Sequence, residues 1–247
     1  FILNTTSAPT DDLRIRTAMA HAIDRGLLIE TFRSDLTIEA NTFIEPNSPW
    51  FSPTEYPGFD PETGAGLVAQ YEAEVGPAEV TLTVSNTPST IEVAEVVASF
   101  WDAIGIDTTV DAIAPGTEVT PVIGDDFQAI YWFQFASPDP DVDYVFFHSS
   151  AGPINWSNLV DPDIDGGFDQ ARASADPTVR AEGYAQVQDA IVAQLPMLWI
   201  DHLGGVDVAV SRPEVQGYQD STFPDGTPTV GLYNGSYFTW QSVWRAS

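Results

Sequence analysis

The sequence predicts an α/β fold in which a mixed sheet is flanked by helices. Three observations carry this. Residues 79–113 alternate apolar and polar, turn to helical spacing, then alternate again. Several other stretches place apolar residues at helical spacing behind an acidic start. Hydrophobic residues make up 43% and aromatics 12% of 247 residues, enough for one large domain or two small ones with a real core.

Phe1 to Leu3 reads as a short strand. Asp11 and Asp12 open a helix whose Ile15, Ala18, Met19, Ala22 and Ile23 form one stripe. Acids in a first turn suit the positive end of the helix dipole. A second short helix follows Asp24, through Leu27, Leu28 and Phe32. Pro46, Pro49, Pro53, Pro57 and Pro61 make 41–63 an irregular loop, pinned by Trp50, Phe51, Tyr56 and Phe59. Asp60-Pro61-Glu62 then supplies the cap and first positions of a helix to about Val75.

Val80, Leu82 and Val84 alternate as a strand. Ser89 with Glu92 reads as a capping box. Val93, Val96, Val97, Phe100, Trp101 and Ile104 follow at helical spacing, and Gly105 ends the helix. Ile106, Thr108, Val110 and Ala112 alternate again, so the two strands should be parallel. Phe127–Phe135 is expected as an aromatic strand of the same sheet. Asp139-Pro140 can start a helix through Tyr144, Val145 and Phe146. Helices are expected near 163–175 and 177–195, the second with Asp176 as cap and Pro177 at its first position. Its Tyr184, Val187, Ile191 and Leu195 share a face, and Pro196 stops it. Met197–Leu203 and Val206–Val210 read as strands around Gly204-Gly205. The tail from Ser211 is turn-rich, and the chain, opening on Phe1, reads as a piece of a longer protein.

Charge excludes several chemistries. The chain carries 8 basic and 36 acidic residues, a net charge of −28, and every basic residue is Arg. Without Lys there is no P-loop lysine, Schiff base or lysine general base. Without Cys there is no disulfide, thiolate metal site or cysteine nucleophile. So acidic a surface repels phosphate, which excludes nucleic acid as a partner. No apolar run approaches the length of a membrane span.

The remaining motifs do not build a reaction centre. Gly64-Ala65-Gly66-Leu67-Val68-Ala69 fits a loose dinucleotide fingerprint, but a Pro-rich loop precedes it where a strand is needed. Asp161-Pro162-Asp163-Ile164-Asp165-Gly166 begins like a calcium loop, yet its twelfth position is Arg172 rather than Glu. The Asp139, Asp141, Asp143 series has Tyr144 where Gly belongs. Three His with no close pair do not suggest zinc. No GxSxG is present, and pairs of acids suited to glycoside hydrolysis are unavoidable among 36. No catalytic residue, metal or cofactor is therefore expected. Tyr131-Trp132-Phe133-Gln134-Phe135 is more telling, because it runs into the irregular Ala136-Ser137-Pro138-Asp139-Pro140. Open α/β sheets bind ligands at such strand ends. Alternation sends Trp132 and Gln134 one way, and Tyr131, Phe133 and Phe135 the other.

The order of these pieces resembles a known family. Asp11 to Arg25, DDLRIRTAMAHAIDR, resembles the "pFdDvRvRqAlayAiDR" stretch of family 5 extracellular solute-binding proteins, the peptide, oligopeptide and nickel binding proteins of ABC importers. Asp60-Pro61-Glu62 with Leu67 resembles their "yDPekAkaLLaeAG", and Ala103-Ile104-Gly105-Ile106 their "kiGIkV". Phe127-Gln128-Ala129 leading to Asp139-Pro140-Asp141 resembles "FDa…W…DPD". Asp163-Ile164-Asp165, then Arg180, Tyr184, Gln188 and Leu195-Pro196, resembles "pevDaLl…R..lY.e.Q.ii.e..P". Val215-Gln216-Gly217-Tyr218 resembles the closing "v.Gy".

The resemblance implies a periplasmic-binding-protein-like lobe of type II. Residues 1–195 would form the ligand-closing lobe, and 196–247 a hinge crossover and a segment returning to the other lobe. Trp240 and Trp244 in that segment would then be more exposed than Trp101 or Trp132. It also implies a non-enzymatic, monomeric substrate-binding subunit outside the cytoplasmic membrane. Its partners would be a peptide-like or other small solute and ABC permease subunits. Membrane association would come only through the permease or an N-terminal lipid anchor. Ligand contacts are expected at Trp132, Phe133, Gln134, Phe135, Ala136, Asp139, Asn155 and Trp156. The peptide-binding members carry an Asp three residues before the acid of the acid-Pro pair; here that position is Ala136. Phe133 stands where they often carry Trp. An uncharged or differently anchored ligand is therefore expected. The alternative is an acidic secreted glycoside hydrolase.

Overall fold

Aspartate starts most of the described helices. In the computed structural model, which describes residues 1–33, 37–133 and 139–202 and the backbone at 215–216 and 244–245, five helices begin on an Asp side chain that accepts a backbone N–H. Asp12 caps α1 (Leu13–Ala22), Asp24 caps α2 (Arg25–Phe32) and Asp60 caps α3 (Pro61–Glu74). Asp161 and Asp176 cap α7 (Pro162–Arg172) and α8 (Pro177–Gln194), each followed by Pro at the first helical position. Each such bond satisfies one of the amides a helix start leaves unpaired.

The sheet runs in the order β1 (Ile2–Leu3), β5 (Ala129–Ile130), β3 (Glu79–Ser85), β4 (Asp107–Ile113). β1 is antiparallel to β5, while β5 and β4 are both parallel to β3, so the sheet is mixed. The crossover between β3 and β4 is α4 (Pro88–Ala103), as the periodicity of 79–113 requires. Leu82 lies opposite Val110 on one side and Ala129 on the other.

Period-two alternation divides the core between the two faces of the sheet. Leu3, Val80, Leu82, Val84 and Ala129 pack with Ile15, Met19, Val68, Val97 and Trp101, from α1, α3 and α4. Ile2 and Ile130 face the other way, onto Phe168, Tyr184, Val187 and Ile191 of α7 and α8. Close helix crossings depend on glycine. A Cβ on Gly64 would sit 3.1 Å from the Ala18 carbonyl, and one on Gly183 would sit 2.5 Å from the Gly167 carbonyl. Gly64 and Gly66 thus lie inside α3 without a preceding strand, and only Gly64 serves a close packing contact.

Several expectations are corrected. The cap of α4 is Thr87, with Pro88 first in the helix, so Ser89 is already helical and makes no capping box. Among the described residues of the expected Phe127–Phe135 strand, only Ala129–Ile130 pairs as a strand, opposite Leu3 and Ile2 of β1. The start at Asp139 holds, but its first turn, Pro140–Asp143, is 3-10 and passes into a single α-turn, α6 (Tyr144–Phe147). In the Pro-rich loop Trp50, Phe51 and Tyr56 pack against the core, whereas Phe59 is 55% exposed. After α8 the extended segment bridges β1 at Met197–Ile2, and β6 (Asp201–His202) pairs with an unforeseen β2 (Ile38–Glu39). A short α5 (Val119–Ile123) and a 3-10 turn at Ser149–Ile154 were also unmarked in the pattern. Val206–Val210, Trp240 and the Trp244 side chain lie outside the described residues; Val215–Gln216 and Trp244–Arg245 form an antiparallel pair.

Candidate ligand-binding site

The site forms where β5 runs out. The Tyr131 amide donates to the Thr83 carbonyl at 3.0 Å, and beyond it the chain leaves the sheet. Trp132 then meets Trp156 edge to face, ring centroids 4.8 Å apart, and Phe146 of α6 packs on Trp156 at 4.9 Å. Phe133 turns to the other side, 5.5 Å from Tyr131, and is 55% exposed. Trp156 is 9% exposed, so it backs the wall rather than fronting it. Such edge-to-face pairs hold rings rigidly and add about 0.5–1.5 kcal/mol each beyond burial.

Polar groups frame the aromatics. The Arg33 guanidinium donates to the Tyr131 hydroxyl at 3.1 Å and to Asp201 at 3.0 Å. Burial works against the charge on Arg33, but Tyr131 and Asp201 outweigh it and hold its pKa above the ordinary value. Asp139 caps the turn that follows the wall, accepting from the Asp141 amide at 3.1 Å. The same carboxylate accepts from Arg180 at 2.6 Å and the Tyr184 hydroxyl at 3.1 Å. Burial pushes the Asp139 carboxyl up, and the bonds from Arg180 and the Asp141 amide more than reverse this, leaving it low. Burial drives the Tyr184 phenol to about 12 despite the bond from Arg180. Arg180 also lies over the Trp50 ring, 4.8 Å from its centroid.

Of the residues expected in the site, Trp132 and Trp156 touch, Phe133 lies beside Tyr131, and Asp139 stands at the far end of the segment. Asn155 is 4% exposed, and its amide donates to the Leu159 carbonyl at 2.7 Å while its oxygen accepts from Ser157 at 3.2 Å. Gln134, Phe135 and Ala136 lie outside the described residues. Two open grooves lie elsewhere, one of about 380 Å³ beside Tyr71, Thr81 and Gln128, the other of about 440 Å³ beside Thr17, Thr54 and Asp189. Neither includes a ring of the wall.

Three residues of α8 were visible in the sequence without a role. Arg180, Tyr184 and Gln188 stand four apart and so share one stripe. Arg180 and Tyr184 hold Asp139, and the buried Gln188 ties down the Pro-rich loop. Its oxygen accepts from Thr42 and the Ser52 amide, and its nitrogen donates to the Trp50 carbonyl at 3.1 Å. Arg33 had no local signal, since its partners are 98 and 168 residues away.

Comparison with known proteins identifies the family and the fold. Residues 1–155 match the middle part of the bacterial extracellular solute-binding proteins, family 5. Heme-binding protein A of Haemophilus influenzae is 26% identical over 232 residues, 89% of this chain and 41% of that protein. The dipeptide-binding protein of Escherichia coli is 23% identical over 225 residues, 87% of this chain and 42% of that one. The solved structure of NikZ from Campylobacter jejuni in complex with Ni(L-His) superposes with a TM-score of 0.77 at 18% identity, covering 99% of this chain and 51% of that one. The chain thus spans about two fifths of the length of these curated relatives. Nothing in these matches supports a glycoside hydrolase. The mixed sheet between two helical layers is that of a type II periplasmic binding protein, and the chain belongs to the family 5 bacterial extracellular solute-binding proteins.

Proposed function

We propose that this chain is the ligand-closing part of the substrate-binding subunit of an ABC-type importer. It captures a peptide-like or other small solute outside the cytoplasmic membrane and presents it to the permease, without catalysis and as a monomer. The observation that carries the reading is the aromatic end of β5, where Trp132 packs on Trp156 and Phe133 is exposed on the opposite side, within a chain that matches the family over residues 1–155. A site shared between two lobes is a shallow wall on either one.

The chain around the proposed division at 195 stays tied to this lobe. Leu3 donates to the Pro196 carbonyl at 2.9 Å, and Leu198 donates to the Phe1 carbonyl at 2.7 Å. The two segments therefore run side by side, and with Met197, Leu198 and Trp199 in the core, a crossing to a second lobe would follow Trp199. Closure about such a pair of crossings is a hinge motion.

Ligand choice follows from charge. A buried ammonium without a carboxylate partner costs several kcal/mol. Position 136 is Ala, and Asp139 is held by Arg180 and Tyr184. The site therefore suits an uncharged or differently anchored solute, such as a sugar or a blocked peptide, with Gln134 as a polar contact beside Phe135. Tryptophan fluorescence of the full-length protein, titrated with free peptides, N-acetylated peptides and oligosaccharides, tests this. Saturable change with the uncharged ligands is expected. Tight binding of free peptides, lost on N-acetylation, contradicts the ligand class, and turnover of a chromogenic glycoside contradicts the reading as a whole.

A further inference from the structure

His148 lies between the two elements that hold Trp156. Behind it is α6, whose Phe146 packs on the Trp156 ring at 4.9 Å. Ahead of it is the 3-10 turn Ser149–Ile154, which runs directly into Asn155 and Trp156. The imidazole is 7% exposed and caps that turn, its Nδ1 accepting from the Ser150 amide at 3.0 Å. The Ser150 hydroxyl lies 2.9 Å from the same nitrogen and 3.0 Å from the Tyr144 hydroxyl.

The geometry assigns the tautomer. A nitrogen that accepts from a backbone amide carries a lone pair, so in the neutral ring the proton is on Nε2. Nε2 has no hydrogen-bond partner and lies 3.5 Å from an Asp169 oxygen. Asp165 stands 3.6 Å from Nδ1 and itself accepts from the Ser149 amide at 2.8 Å. Tyr144 stacks on the ring at 4.2 Å, and Arg172 lies 3.9 Å over the Tyr144 ring while pairing with Asp141 at 3.0 Å.

We infer that His148 is a positioning residue for the ligand wall, and that its protonation moves Trp156 by uncapping the Ser149–Ile154 turn. A second proton can enter only at Nδ1, the atom that accepts from Ser150. Nδ1–H must then donate, either to the Ser150 hydroxyl, which reverses its bond toward Tyr144, or to Asp165. In both cases the Ser150 amide loses its acceptor. The two carboxylates of α7 attract the charged ring, and Asp165, already bonded to Ser149 at the start of the turn, competes for Nδ1–H. Histidine changes charge between pH 5 and 8 more readily than any other ordinary side chain. The inference rests on the reading of Trp156 as part of the ligand wall, but its motion is read in the ligand-free protein.

The test is nuclear magnetic resonance of the chain labelled with ¹⁵N, titrated from pH 8.5 to 5. The sequence has three His, so their rings are separable. Burial lowers His202 to about 4, below that range. The Ser150 amide and the Trp156 indole should shift together with the His148 ring. The protection factor of the Ser150 amide, its exchange measured against the intrinsic rate at each pH, should fall roughly tenfold, the worth of one lost hydrogen bond. In His148→Asn the side-chain oxygen can take the place of Nδ1 as cap, and both signals should stay at their neutral-pH positions. A Trp156 indole that does not move while His148 titrates overturns the inference, as does an equal movement in His148→Asn. Failure of any solute to bind bears on the ligand reading alone.

Discussion

Single atoms decide how α7 and α8 meet. A methyl at Gly183 would stand 2.5 Å from the Gly167 carbonyl and 3.2 Å from the Ala171 side chain. Backbone cannot yield there without separating the helices, so Gly183→Ala should cost about 1–3 kcal/mol in thermal or denaturant unfolding. Gly66→Ala is the matching control. Nothing lies within 4 Å of its added carbon, and it should stabilise by about 0.5–1 kcal/mol through helix propensity. Asp139 gives a residue-level pH prediction. Its folded-state pKa lies below the ordinary value, so its contribution is present at neutral pH. That contribution is lost as pH falls from about 4 through the lowered value. Unfolding of Asp139→Asn, followed between pH 5 and 2, should show a flatter acid limb than the parent. An unchanged limb would mean that the Arg180 pair contributes nothing.

The elements that follow local rules were legible in the sequence. The strand–helix–strand unit at 79–113 was readable because its periods switch from 2 to 3.6 and back within one connected stretch. The helices behind Asp12, Asp24, Asp60 and Asp176 were readable because a short carboxylate is a local cap. The two-residue strands were not, since β2 exists only because β6, more than 160 residues later, comes to lie beside it. The end of β5 was overrun for the same kind of reason. Alternation continues through Phe133, but the pairing with β1 ends at Ile130, opposite Ile2. In the site, the aromatic wall was legible and its supports were not. Gln188 stands at the meeting of α8 and the Pro-rich loop. Gln188→Ala would leave the Ser52 amide and the Trp50 carbonyl without it, which should cost about 2–4 kcal/mol. Limited proteolysis should then cut the loop first, near Trp50. Intact resistance there would show that the aromatic packing of Trp50 against Tyr184 suffices.

At the scale of the whole molecule, net charge is the unfavourable term that salt can relieve. A net −28 with no Lys repels itself, and salt shortens the range of that repulsion from about 10 Å at 0.1 M to about 3 Å at 1 M. The melting temperature should therefore rise with NaCl up to molar concentrations. A flat or falling trend would show that the local ion pairs, such as Arg14 with Asp12 and Glu74, matter more than the net field. The adjacency of Phe1 and Leu198 has a consequence of another kind. The two residues exchange backbone hydrogen bonds of 2.8 and 2.7 Å, and both are buried, so the two segments meet inside the core beside β1. Leu3 bonds Pro196 two residues further along, so the segments run antiparallel from that meeting point. Pulled apart there, the bonds would break in succession, like a zip fastener, rather than all at once in shear. Force applied between Phe1 and Leu198 should therefore open this pair before the rest of the sheet.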